Sequence, residues 1–396
     1  MKSQKYLNKE SFPPKEEDIV TKDNWFISTE NLYQYTHHNE LTPSRTIWRG
    51  DCTPTSLQYN NEQINLTEIK DKNGESVNSF LKRNDVDAYL IIHKNKVIYE
   101  NYFNNYKSYE PHAVNSVTKS FVGLVTTILA DKGELDLNQK AEYYIPELKN
   151  TGLGNGTIQE LLHMQVPVKY KWDQLTPGID IGHGTPIFYA TDSLPKPRDY
   201  NGPENLYEFM LSSTVDVEPG TKLFYENGQT ETIGWVLKCV TGENLSSLIQ
   251  EIIWSKIGAE ENALMLLDPI GTEIANCGMR ATLRDLAKFG QMMLQNGHYN
   301  GKQIVPEHLI EDIKQGGNQD FFAKRYGDLR KGFSYFNKWW VSHDQFDTYS
   351  ARGRFGQQVI VSPKTDTVIV QLASHRPRLT SEPPFTNEVL KYLSKN

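Results

Sequence analysis

The stretch from Ser116 to Gly133, SVTKSFVGLVTTILADKG, puts the tightest limit on how this chain can fold. Val117, Phe121, Leu124, Val125, Ile128 and Leu129 recur at helical spacing, and Gly133 closes the run. Apolar on most of its circumference, such a helix must be covered on nearly all sides. The rest of the chain supplies the cover. Ala88–His93 and Val97–Tyr102 are β-rich runs around Lys94-Asn95-Lys96, and Gln358–Ser362 and Thr367–Ala373 flank Pro363–Asp366, so each pair reads as a hairpin. Between them Thr157–Met164, Thr230–Val240 and Leu245–Lys256 read as helices. Ala281–Gln295 is an amphipathic helix with Leu283, Leu286, Phe289 and Met293 on its apolar side, and Phe385–Leu393 is helical. Tyr170–Leu211, rich in Pro, Gly, Asp and aromatics, reads as loops over a cleft. The pattern predicts an α+β fold: one antiparallel sheet built from the two ends, flanked by helices, with a helical lobe inserted. Residues 1–75 read as an irregular arm packed on the body, by Pro13-Pro14, Pro43, Pro54 and Asn60-Asn61. Residues 76–396 form the body, with a sheet lobe at about 76–140 and 265–396 and a helical lobe at about 141–264.

Composition narrows the class. Of 396 residues, 38% are hydrophobic and 23% charged, the make-up of a globular protein with a sizeable core. The net charge of −7 is spread without a long run of one sign, and Lys-rich pieces such as Lys70–Lys72 are interrupted by acids. A nucleic-acid surface is not expected. Cys52, Cys239 and Cys277 are few, far apart and odd in number, which indicates neither a disulfide framework nor a zinc site. His93, His112, His163 and His183 form no metal-ligand spacing, and Gly152-Leu153-Gly154-Asn155-Gly156 lacks the preceding strand of a phosphate loop and reads as a flexible turn. The N-terminus carries no signal-peptide core, and no segment reaches the roughly 18 apolar residues of a membrane span. Cytoplasmic residence is the default, although a chain from which a leader had been removed would read the same.

Ser116 and Lys119 lie three apart at the start of the apolar helix, on one face and about one turn apart. A serine hydroxyl is a poor nucleophile until a base takes its proton, and a lysine serves only when it is neutral part of the time. A low-dielectric site and the positive end of a helix both push its pKa down. The same spacing occurs at Ser79–Lys82 and Ser193–Lys196. Pro195 and Pro197 break the second of these, and charged neighbours keep Lys82 solvated. A bland reading of any such pair is a helix cap plus a surface lysine; the apolar setting of Ser116–Lys119 argues otherwise. A second element, Pro219-Gly220-Thr221-Lys222-Leu223-Phe224-Tyr225-Glu226-Asn227, is either a turn with a helix-capping Asn or a site element. In the latter case Tyr225 shuttles a proton alongside Lys119, and Asn227 holds Lys119 and a substrate amide. A third, Ala351–Gln357, is either an edge strand with solvated arginines or a cleft strand whose backbone N–H completes an oxyanion hole.

Ser116-Val117-Thr118-Lys119, Tyr225-Glu226-Asn227 and the strand at Gly353, in that order, resemble the serine β-lactamase and penicillin-binding superfamily. LADKGELDL at Leu129–Leu137, EPGTKLFYEN at Glu218–Asn227, VTG at Val240–Gly242 and TLRDLAKF at Thr282–Phe289 are similar to its class C and esterase branch. LHMQ at Leu162–Gln165, Asn276 before Gly278, Trp339-Trp340 and GRFGQ at Gly353–Gln357 resemble the 6-aminohexanoate-dimer hydrolases. The resemblance implies a β-lactamase-like fold without metal or organic cofactor. It implies Ser116 as nucleophile, Lys119 as base and Tyr225 as proton relay. Asn227, Asn276, Trp340 and Gly353 would line the substrate site, and the N–H groups of Ser116 and Arg354 would receive the oxyanion. Two departures stand out. Ala351-Arg352-Gly353 replaces the Lys-Thr-Gly of β-lactamases, removing the lysine that anchors a β-lactam carboxylate, and guanidinium groups at Arg352 or Arg354 do not copy an ammonium. Phe355 stands where the nylon-oligomer enzymes have histidine. The expectation is a hydrolase of small esters or amides with weak or no β-lactamase activity, binding neither nucleic acid nor membrane, with a homodimer left open. The rival is a catalytically silent relative that binds a peptide or a cell-wall fragment.

Overall fold

The computed structural model describes residues 35–83, 85–171, 186–196, 198–374 and 385–395, together with residues 13 and 21. Near the N-terminal end of the body, Val86–His93 (β1) and Lys96–Tyr102 (β2) form a hairpin. Its two turn residues, Lys94 and Asn95, both have positive φ (48° and 63°), the turn geometry that matches strand twist. At the other end lie Ser334–Phe336 (β3), Trp339–Val341 (β4), Tyr349–Gly353 (β5), Gln357–Ser362 (β6) and Thr367–Ala373 (β7). The sheet order is β3-β4-β5-β6-β7-β1-β2, with every neighbouring pair antiparallel. The two ends of the body therefore meet where β7 pairs with β1, in the register Ile369↔Ile91.

Both faces of this sheet are buried. Ala88, Leu90 and Ile92 of β1 face the principal core, whereas Tyr89 and Ile91 face a second cluster with Phe80, Phe385 and Leu390. On the principal side lie the helices Thr118–Asp131 (α1), Gly228–Thr241 (α2) and Leu283–Leu294 (α3). Helix α1 is buried along nearly its whole length, as its sequence demands, and Phe121 stacks on Phe289 of α3 with ring centroids 4.0 Å apart. Helix and sheet also lock through polar groups. Ser120 Oγ donates to the Lys338 carbonyl at 2.9 Å, and a Cβ on Gly123 would lie 2.6 Å from the Asn337 carbonyl. A side chain at position 123 would drive α1 off the β3–β4 turn.

Several expectations need correction. Helix α1 starts at Thr118, and Ser116 sits in a 3₁₀ turn, Asn115–Val117, just before it. The sheet is not single: Ser44–Ile47, Ala263–Leu266, Met279–Ala281 and His112–Ala113 form a second, four-stranded one in that order. Strands this short leave no readable alternation. Because Ser44–Ile47 belongs to it, the segment before residue 75 is not irregular throughout. The 152–156 turn is packed into the body rather than exposed. Gly152, Gly154 and Gly156 are buried, and a Cβ on Gly154 would meet the Leu148 carbonyl at 2.1 Å. Within the Tyr170–Leu211 stretch, Pro186–Ala190 and Leu206–Leu211 are short helices, and residues 172–185, including His183, lie outside the described residues, as does Pro14. Among the described residues no helix is long and apolar enough to cross a membrane, and no group of three His, Cys, Asp or Glu is placed to hold a metal.

Candidate active site

The turn before α1 is set by two close approaches to the end of β5. Asn115 has a positive φ of 47°, which asparagine tolerates better than most residues, and its Nδ2 donates to the Arg354 carbonyl at 2.8 Å. A Cβ on Gly353 would lie 2.3 Å from the Val114 carbonyl, so glycine lets the strand end reach this turn. Ser116 and Arg354, named above as oxyanion donors, are thereby held on adjoining segments. Beyond Arg354 the backbone turns through Phe355 and Gly356, both left-handed (φ 67° and 97°). Tyr35, from the N-terminal arm, packs edge-on against Phe355 at 6.0 Å.

Lys119 points from the first turn of α1 into a pocket of acceptors. Its Nζ donates to Ser116 Oγ, Asn227 Oδ1 and the Asn276 carbonyl, each at 2.9 Å, and its side chain is wholly buried. Burial pushes its pKa down to about 8, opposed by Cys277, Glu231 and Glu226. The Tyr225 ring packs beside it, with Nζ 5.3 Å from the centroid, and the Ser116 side chain lies near enough to the Tyr225 phenol to favour its ionised form slightly. Loss of water pushes the Tyr225 phenol up to about 12, so it remains protonated near neutral pH. Asn227 does stand at the start of α2, but its side chain caps nothing. Glu226 caps instead, accepting from the N–H groups of Gly228 at 2.7 Å and Gln229 at 3.3 Å, which leaves the Asn227 amide oxygen to Lys119.

Sequence reasoning missed the buried charges around this lysine. Glu226 and Glu231 are 2% and 3% exposed, and burial pushes them up to about 6 and about 7. Glu231 accepts from the N–H of Ala275 at 3.0 Å, and from the N–H and Nδ2 of Asn276 at 2.8 and 2.6 Å. The Asn276 amide therefore faces Glu231, and its backbone carbonyl serves Lys119. Lys338, also buried, donates to the Leu161 carbonyl at 2.6 Å, and burial holds its pKa well below the usual lysine range. The one available signal was spacing: Glu231 follows Asn227 by four, on the same face of α2.

Aromatic residues build the adjoining wall. Trp340 of β4 lies 5.5 Å from Tyr225 and 5.3 Å from Tyr335, and the Arg330 guanidinium stacks 4.3 Å over its ring. Trp339 points the other way, into the core against Phe289. Strand β5 is interior, paired on both sides, which removes the edge-strand reading. Arg352 donates from Nε to Ser350 Oγ at 2.7 Å, and the Arg354 guanidinium lies 5.0 Å from the Phe355 ring. Ala351 is fully buried within the principal core. The competing pairs fall apart: Ser79 bonds Ser76 while Lys82 is exposed, and Lys196 pairs with Glu204. His112 is buried against Asp87 at 3.3 Å, and His93 and His163 bond Thr367 and Gln159.

A half-buried serine thus lies between a buried, pKa-lowered lysine and a protonated tyrosine, beside a strand end. Such a set can pass the serine proton to a base and return one to a leaving group. The family description "Beta-lactamase" matches residues 83–388. The chain belongs to the beta-lactamase family. It is a serine hydrolase of the β-lactamase-like superfamily. It is 28% identical over 358 residues to the 6-aminohexanoate-dimer hydrolase of Paenarthrobacter ureafaciens, covering 89% of this chain and 88% of that one. A solved structure from Bacillus anthracis, provisionally named a 6-aminohexanoate-dimer hydrolase, is 33% identical with a TM-score of 0.87, covering 96% of this chain and 98% of that one. A family VIII carboxylesterase, at 15% identity and a TM-score of 0.58 over 79% of this chain and 93% of its own, shares the fold.

Proposed function

We propose that this chain hydrolyses small esters or amides through an acyl-enzyme on Ser116. The observation that carries the reading is the placement of Ser116 Oγ 2.9 Å from Nζ of the buried Lys119, with the Tyr225 ring packed against the same lysine. Once neutral, Lys119 accepts the Ser116 proton as Oγ attacks the carbonyl carbon. Negative charge collects on the former carbonyl oxygen, where the N–H groups of Ser116 and Arg354 receive it. Tyr225 and Lys119 then protonate the departing alcohol or amine. Water, losing a proton to the same groups, splits the acyl-enzyme and restores Ser116.

Amide work of the 6-aminohexanoate type is supported by the two named relatives and by the Trp340 wall, and Phe355 is the position where the resemblance to them breaks. Weak or absent β-lactamase activity is supported by Ala351, a buried methyl where β-lactamases place an anchoring cation. The same reading keeps a small ester or amide as the molecule in the cleft, and the cytoplasm as its setting on sequence grounds. A silent binding role is disfavoured because Lys119 is wholly buried with all three N–H bonds directed to acceptors, one of them Ser116. The test is turnover of p-nitrophenyl acetate and butyrate, short linear amides and a chromogenic cephalosporin. Ester and amide turnover that disappears in Ser116→Ala is the expected result. No turnover together with tight peptide or cell-wall-fragment binding would favour the silent role.

A further inference from the structure

Glu231 stands one step behind the proposed base, and the proton transfers described above do not use it. Its carboxylate, on the buried face of α2, takes three N–H groups from two consecutive residues: Ala275 N–H at 3.0 Å, Asn276 N–H at 2.8 Å and Asn276 Nδ2 at 2.6 Å. The next atoms along are the Asn276 carbonyl and, 2.9 Å from its oxygen, Lys119 Nζ. One turn further on α2, Gly234 lets the same loop dock, since a Cβ there would lie 3.0 Å from Ala275 Cβ. Helix α2 thus grips the 275–276 loop at two points, and that loop supplies one of three acceptors around Lys119.

We propose that Glu231 is a positioning residue for the hydrolytic reaction, fixing the carbonyl that caps Lys119 and placing a buried negative charge beside the base. The inference rests on the reading of Ser116 and Lys119 given above. A carboxylate suits the task because it accepts from all three donors at once; a neutral amide would turn an N–H toward them. The other ionisable groups near Lys119 are Cys277, on the same loop, Glu226 at the start of α2, Tyr225 beside it and Lys338 from the β3–β4 turn. Of these, Glu226 spends its carboxylate on the first turn of α2, and Cys277 stays a neutral thiol because burial pushes it up to about 11. Burial pushes Glu231 up, but three donated N–H groups and the nearby Lys119 favour its ionised form. Its charge favours the ammonium form, and removing it lets Lys119 become neutral at lower pH.

The test is the pH profile of kcat/KM for p-nitrophenyl acetate with Glu231→Gln, normalised to the Ser116 sites that a fluorophosphonate labels. The expected result is a rising limb displaced toward acid by about one unit, with kcat about 10- to 100-fold lower and KM little changed. A limb and a normalised kcat at wild-type values would overturn the inference, even if the variant were less stable, because lost stability lowers the number of labelled sites and not the limb. Glu231→Asp keeps the charge and shortens the reach. It should hold the wild-type limb at reduced kcat, and it decides the matter if the glutamine variant fails to fold. A limb displaced in Glu231→Asp, or a wild-type kcat there, would also overturn the inference. Wild-type protein that takes no label on Ser116 would remove the underlying reading, whereas normal labelling with an unmoved Glu231→Gln limb would remove this inference alone.

Discussion

An ammonium group has three N–H bonds to give, and Lys119 gives them to Ser116 Oγ, Asn227 Oδ1 and the Asn276 carbonyl. The charged form is therefore fully satisfied by hydrogen bonds, and burial, opposed by Cys277, Glu231 and Glu226, pushes its pKa down to about 8. The sign of the pH dependence follows. Below that value Lys119 is protonated and cannot accept from Ser116; above it the base is available. The kcat/KM for an uncharged ester should rise with pH through about 8, and a stopped-assay profile checks it. A profile already flat at pH 6 would mean that another group takes the proton. Tyr225, pushed up to about 12, stays protonated across this range, as the relay role proposed for it requires. Lys119→Ala and Tyr225→Phe should each lower kcat about 10²- to 10⁴-fold, the range of general acid–base groups, with smaller changes in KM. A change confined to KM in either variant would remove its proton-transfer role.

At the scale of elements, the site depends on how closely β5 approaches the turn before α1. A methyl group on Gly353 would sit 2.3 Å from the Val114 carbonyl, a backbone atom with little freedom to yield. Gly353→Ala should cost about 1–3 kcal/mol in denaturant unfolding and lower kcat for esters, because strand and nucleophile must separate. Unchanged kcat would show that the strand end takes no part. The long elements were legible in the sequence for stated reasons: α1 by its all-round apolar surface, α3 by its stripe, and the β1–β2 hairpin by its polar turn. The four-stranded sheet was not, because its strands run two to four residues and find partners far along the chain. Of the site, Ser116 and Lys119 could be paired by their spacing of three, whereas the roles of Tyr225 and Asn227, more than 100 residues on, came from the resemblance of Tyr225-Glu226-Asn227 to the family pattern. Glu231 and Lys338 could not, since a buried charge looks like a surface charge until its partners, more than 40 residues away, are in place.

For the whole molecule, the two ends of the body meet as β7 pairs with β1, and the turns and loop between them bring the three acceptors of Lys119 together beside the end of β5. That strand presents a buried Ala351 where β-lactamases carry a lysine. An uncharged ester needs only the nucleophile, base and oxyanion donors, whereas a β-lactam brings a carboxylate that seeks a cation. The kcat/KM for short-chain esters should exceed that for a chromogenic cephalosporin by at least about 10², a gap near 2.7 kcal/mol. Comparable turnover of both would show that position 351 does not set selectivity. The most direct measurement is mass spectrometry of the intact protein, and then of its peptides, after fluorophosphonate treatment. One adduct per chain is predicted, on the peptide holding Ser116, with none in Ser116→Ala and much slower labelling in Lys119→Ala. An adduct on the Ser79 or Ser193 peptide, or none on any serine, would contradict the assignment.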